Sequence, residues 1–104
     1  MFATVRRYEG IDASHKDELT KKVGESLAPR LSKLPGFGGY YLIEDGKGTM
    51  SSFGLFDTAT QADESSRVVS AWIRDEKFDD ALPNEPKITT GSVIAHESRV
   101  AVTA

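Results

Sequence analysis

Apolar residues recur along this chain in two periods, and the switches between them predict the order of its elements. Between Gly36 and Asp57 the chain reads as two strands folded on each other. Phe37 to Glu44 is rich in aromatic and β-branched residues, Asp45-Gly46-Lys47-Gly48 carries turn chemistry, and Thr49 to Phe56 alternates again, a hairpin pattern. Phe2 to Glu9 predicts a first strand, with Phe2, Thr4, Arg6 and Tyr8 on one face and Ala3, Val5, Arg7 and Glu9 on the other. In the second strand Phe37, Gly39, Tyr41 and Ile43 are expected to share a face, opposite Gly38, Tyr40, Leu42 and Glu44. In the third, Thr49, Ser51, Phe53 and Leu55 oppose Met50, Ser52, Gly54 and Phe56. Lys87 to Glu97 predicts the fourth, and Ser98 to Ala104 either extends it or forms a tail.

The intervening segments have helical periodicity. Leu19, Val23, Leu27, Leu31 and Leu34 form one stripe, Ser14 and Asp17 mark its start as cap and first-turn acid, and Pro35-Gly36 marks its stop. Pro29 lies inside this helix without disturbing the leucine phase and predicts a kink. A second helix is expected from Thr58 or Thr60 to Ile73 or Arg74, burying Ala62, Val69, Trp72 and Ile73, followed by a helical turn or short helix over Glu76 to Leu82. Pro83-Asn84-Glu85-Pro86 ends it.

The resulting order, βαββαβ, specifies an α+β ferredoxin-like domain: a four-stranded antiparallel sheet with both helices on one face, built from two right-handed crossovers joined by the hairpin. All four strands carry apolar side chains on both faces, whereas a sheet with one wet face alternates cleanly. The expectation is therefore a homodimer through the sheet faces, each copy covering the other.

Composition narrows the possible functions. At 104 residues the chain is one domain, 1–104, and its 38% apolar and 28% charged residues are those of an ordinary globular protein. Thirteen basic and sixteen acidic side chains give a charge of −3 without a basic cluster, which argues against nucleic acid and anionic membranes as partners. No apolar stretch approaches a membrane span and no signal-peptide pattern opens the chain, so a cytoplasmic location is expected. The absence of cysteine removes disulfides, thiolate catalysis and Cys-based metal sites.

Three stretches in this order carry a resemblance: the Leu31-Ser32-Lys33-Leu34-Pro35-Gly36-Phe37 junction, the Tyr40 to Phe56 hairpin, and Ser70-Ala71-Trp72 followed by Phe78. Over residues 1 to 97 the chain resembles the dimeric α/β-barrel superfamily and, within it, antibiotic biosynthesis monooxygenase-like domains. That resemblance implies oxygenases working without metal or flavin on electron-rich aromatic substrates, haem-degrading enzymes, isomerases, or proteins of unknown role. Trp72 and Phe78-Asp79-Asp80-Ala81 match haem-degrading relatives, but Leu82 stands where those enzymes have an iron-ligating histidine, and their first-strand asparagine is missing from Val5-Arg6-Arg7-Tyr8. No haem, metal or other cofactor is expected.

Candidate chemistry rests on few residues. His96 is the candidate acid or base, while His15, at a helix start, would have its cation disfavoured by the dipole. Arg6 and Arg7 point to opposite faces, and each either pairs with a carboxylate such as Glu44 or Glu97 or anchors an anionic ligand oxygen. Tyr41, Ser52 and Trp72 complete the candidate ligand-binding set, Trp72 also reading as a core residue, and Tyr8 and Tyr40 as packing side chains with a hydroxyl to offer. Gly39, Ser52, Gly54, Gly91 and Ser92 thin the sheet surface and either open a cleft or allow close packing. The sequence thus predicts a small-molecule-binding dimeric α/β-barrel protein, with two functions open: cofactor-independent oxygenation of an aromatic substrate, or a non-catalytic binding or interaction module.

Overall fold

The computed structural model describes residues 1–97; the expectations for Ser98 to Ala104 lie outside them. The order is β1 (Phe2–Glu9), a 3-10 turn (Ala13–His15), α1 (Lys16–Lys22), a π-helical turn (Val23–Leu27), α2 (Ala28–Ser32), β2 (Phe37–Glu44), β3 (Thr49–Phe56), α3 (Ala59–Asp75) and β4 (Lys87–Ser92). The sheet runs β2-β3-β1-β4 with antiparallel neighbours throughout, so the chain has the ferredoxin-like α+β fold. No helix among the described residues is long and apolar enough to cross a membrane.

Both helical layers cover one face. Leu19, Val23, Leu27 and Leu31 from the first helical rod meet Val69 and Trp72 of α3 over Met50, with Phe78 and Ala81 closing one end. Each such large side chain contributes roughly 1.5–3 kcal/mol by leaving water. The inner sheet face is set by β3, whose Met50, Ser52, Gly54 and Phe56 are buried in strict alternation, and by Thr4, Arg6 and Tyr8 of β1. On the outer face Tyr41 and Ile43 are 60% and 53% exposed.

The structure corrects or refines five local expectations. Phe37 belongs to the inner face, with Tyr40 and Leu42, because a register shift between Phe37 and Gly39 gives β2 an extra residue opposite β3. Phe37 then meets Phe56 edge to face at 5.8 Å. Asp12, not Ser14, starts the first helical run, its carboxylate accepting from the Ser14 N–H at 2.9 Å, and α1 begins at Lys16. Pro29 follows a π turn: Ala28 N–H bonds Val23 O, five residues back, and the widened turn relieves the crowding that proline imposes on the carbonyl of Glu25.

At the other helix, α3 starts with a reciprocal Thr58–Gln61 capping box. It stops at Lys77, which takes φ 62°, while Phe78 N–H reaches Ile73 O at 2.9 Å and Lys77 N–H reaches Arg74 O at 3.1 Å. This paired closure is a Schellman motif built on a lysine. Of the two expectations for Glu76 to Leu82, the helical turn holds, closed by Leu82 N–H on Phe78 O at 3.0 Å, while the short helix does not form. Finally, β4 ends at Ser92, five residues before the expected Glu97. It pairs with β1 only and is exposed along its length.

Candidate ligand-binding site

Position 6 of the chain is where the inner face changes character. Arg6 lies between Ser52 of β3 and Ile88 of β4 in the sheet register, with α3 packed above, and is only 3% exposed. Its guanidinium donates from Nε to the Tyr8 hydroxyl at 2.9 Å, from Nη1 to Ser66 O at 3.0 Å and from Nη2 to Ser70 Oγ at 3.1 Å. Its Cζ also sits 5.7 Å from the Tyr8 ring centroid, within cation–π range. Around it the β1–α3 seam is polar and narrow. Thr90 Oγ1 donates to Thr4 Oγ1 at 3.2 Å, Thr4 and Ser66 hydroxyls are 3.4 Å apart, and Ser65 Oγ donates to Ala62 O at 2.6 Å.

A cleft of about 440 Å³ opens beside this seam, between the sheet, α3 and the Asp79–Pro86 connection. Arg6, Tyr8 and Ser70 give it a polar floor, Ile73, Leu82 and Ile88 give it apolar walls, and the exposed carboxylates Asp79 and Glu85 stand at its rim with Pro83, Asn84 and Pro86. Asn84 fastens this connection to the sheet by donating to Glu9 O at 3.0 Å. A second, mostly apolar cavity of about 30 Å³ lies deeper, lined by Tyr8, Tyr40, Ser52 and Trp72 among core side chains. Tyr8, Ile73 and Leu82 border both spaces.

Burial governs the phenols here. It pushes the Tyr8 hydroxyl up from its ordinary value, with Arg6 partly opposing, and pushes Tyr40 up to about 12, with the adjacent Ser52 hydroxyl opposing. Both remain protonated at neutral pH. Trp72 is 1% exposed, stacks on Phe78 at 5.5 Å between centroids and donates from Nε1 to Ser26 Oγ at 3.1 Å, so its ring is fully engaged in the core.

The sequence candidates therefore separate into three places. Arg6 faces the cleft, while Ser52 and Trp72 line the deeper cavity. Arg7 and Tyr41 are on the outer face, where Arg7 Nε pairs with Glu9 at 3.5 Å. His96 is exposed beyond the end of β4, off any strand, so the expected strand face shared by Ser92, Ile94 and His96 does not form. His15 pairs with Asp12 at 3.2 Å. The carboxylates expected for Arg6 also lie elsewhere: Glu44 pairs with Lys16 at 3.5 Å, and no carboxylate pairs with Arg6 among the described residues. No group of three His, Asp or Glu side chains among the described residues is placed to hold a metal ion.

Sequence reasoning missed the helix side of the cleft. Ser66 and Ser70 sit four apart on α3, beside the apolar stripe, and that pair of small hydroxyls on a buried edge was the available signal. The Pro83–Pro86 segment was legible only as a terminator.

No family model matches the chain, and no curated protein matches it. Solved structures do. A protein of unknown function from Nitrosomonas europaea superposes with a TM-score of 0.73 over 96% of this chain and 95% of its own, at 16% identity. A monooxygenase from Streptomyces coelicolor, in complex with nanaomycin D, matches at 0.70 over 93% of this chain and 90% of its own, at 14% identity. A dimeric ferredoxin-like protein from an uncultured marine organism matches at 0.64 over 95% and 100%, at 15% identity. The chain thus shares, over nearly its whole length, the ferredoxin-like fold of proteins that include antibiotic biosynthesis monooxygenases.

Proposed function

We propose that this protein binds a small, largely apolar or aromatic molecule in the cleft above Arg6, and that it does so as a homodimer paired through the outer sheet faces. The cleft carries the reading: about 440 Å³ is room for a small organic ligand, and Ile73, Leu82 and Ile88 give it apolar walls between a polar floor and a polar rim. The Streptomyces coelicolor neighbour holds an organic ligand on the same fold, which adds support at the level of fold.

Cofactor-independent oxygenation is the enzymatic form of this proposal. It needs a group that takes a proton from the substrate and a site that shelters the resulting anion. At the rim of the cleft the carboxylates Asp79 and Glu85 are the candidate proton acceptors, and His96 is not among the lining residues. The binding-module form needs no proton acceptor. Oxygen uptake against a panel of phenols and quinols separates the two, with Ile88→Trp as the variant that fills the cleft from its exposed edge. Uptake with a phenol or quinol that falls at least tenfold in Ile88→Trp supports the oxygenase. Saturable binding of the panel without oxygen uptake supports the module, and His96→Ala leaving uptake intact would remove that histidine from the chemistry.

A further inference from the structure

We infer that the ligand of this cleft carries a single anionic oxygen, held at the floor by Arg6 and the Tyr8 hydroxyl together, with its apolar body directed along Ile73, Leu82 and Ile88. The inference rests on the proposed ligand site and specifies its chemistry. A guanidinium has five N–H donors, and Arg6 uses three of them, on a phenol, a backbone carbonyl and a serine hydroxyl. All three partners are neutral, and the Tyr8 ring adds only a cation–π contact, so among the described residues two N–H donors have no acceptor and no carboxylate balances the charge of a residue 3% exposed. Removing a cation from water without a counter-charge is costly, and an anion arriving from solution restores that balance.

Tyr8 supplies the second donor. Its oxygen already accepts from Arg6 Nε, and its own proton has no acceptor among the described residues, although the side chain is only 6% exposed and borders the cleft. Burial keeps that phenol protonated, so the proton is available to a ligand oxygen. The rim supplies the limit on charge. Asp79 and Glu85 are exposed and partly screened, yet they oppose a second negative group near the entrance, so the site favours a monoanion over a dianion. Arg7, the other cation of β1, is paired with Glu9 on the outer face and does not compete.

The test titrates the protein with 2-naphthoate, 2-naphthamide and naphthalene-2,6-dicarboxylate, with 4-nitrophenolate as the phenolate probe, following backbone amides of Ile73, Leu82 and Ile88 by NMR. Naphthoate or nitrophenolate is expected to bind at least tenfold tighter than the neutral amide and the dianion, and whichever binds identifies carboxylate or phenolate as the source of charge. Arg6→Met is expected to erase that preference. Tyr8→Phe, which removes one oxygen and keeps the ring, is expected to weaken the anion severalfold and the amide by less, since the bond to a charged oxygen is the stronger one. Equal binding of anion and amide in the wild-type protein, or anion affinity undiminished in Tyr8→Phe, overturns the inference while leaving the ligand site standing. Binding of no probe at those amides overturns both.

Discussion

Arg6 and Arg7 are adjacent in sequence and opposite in circumstance. Strand alternation alone predicts that they face different ways, but not which face the helices cover, because both faces of every strand carry large apolar residues. The strict burial of Met50, Ser52, Gly54 and Phe56 on the paired strand decides it, and Arg6 follows through its register with Ser52. Trp72 was legible as a core residue from its place on the helix stripe, and it is one. Tyr40 was legible as a packing residue with a hydroxyl to offer, and its burial gives a measurable titration. Its folded pKa is raised to about 12, so the folded state holds the phenolic proton more tightly than the unfolded chain. The associated stability is complete below pH 10 and is lost as pH rises from about 10 to about 12, on the order of 2 kcal/mol. Denaturant unfolding across that range is expected to show a steeper alkaline loss in the wild-type protein than in Tyr40→Phe; parallel curves would contradict the burial of that phenol.

At the scale of elements, the long periodic segments were readable and their irregularities were not. β1, β2 and β3 match their expected spans residue for residue, since alternation and turn chemistry agree there. The misplacement of Phe37 has a local cause in Gly38-Gly39, where two residues without side chains let the strand take a bulge that reverses the facing of what precedes it. The end of α3 shows the opposite case. No glycine marks it, so Phe78 and Leu82 suggested a further helical turn or short helix after Arg74, whereas Lys77 holds the left-handed conformation that glycine normally supplies at a helix end. That geometry costs an L-residue roughly 1 kcal/mol. Lys77→Gly is therefore expected to stabilise the fold by up to about 1 kcal/mol, less the entropy that glycine gains in the unfolded chain, and Lys77→Val to destabilise it. A melting temperature for Lys77→Val no lower than that of the wild-type protein would show that this closure does not persist in solution. β4 is shorter than expected for a similar reason: Val93 to Glu97 keeps some alternation, but among the described residues the backbone bonding past Ser92 comes down to Val93 N–H on Met1 O at 2.9 Å.

At the scale of the whole molecule, the order of elements carried the fold, and the mixed faces of its strands carried the expectation of a partner. The outer face presents Tyr41 and Ile43 largely to solvent, with Val5, Phe53 and Leu55 half-buried beside them. Such a contiguous patch on a small domain favours pairing with a second copy. Sedimentation at micromolar concentration is expected to give twice the 11.3 kDa chain mass, falling to 11.3 kDa for the Tyr41→Lys/Ile43→Lys double variant; a wild-type monomer would remove the dimer. The cleft lies on the other side of the sheet, formed where α3 and the Asp79–Pro86 connection meet β1 and the exposed edge strand β4. Sequence could not show this space, because it depends on how far that connection stands from Arg6. The most direct measurement is a crystal of the protein soaked with 4-bromobenzoate, with the bromine located by its anomalous scattering. The account predicts bromine between Ile73, Leu82 and Ile88 with the carboxylate on Arg6 and Tyr8. Bromine bound only elsewhere, with the cleft closed by Pro83–Pro86, would contradict it.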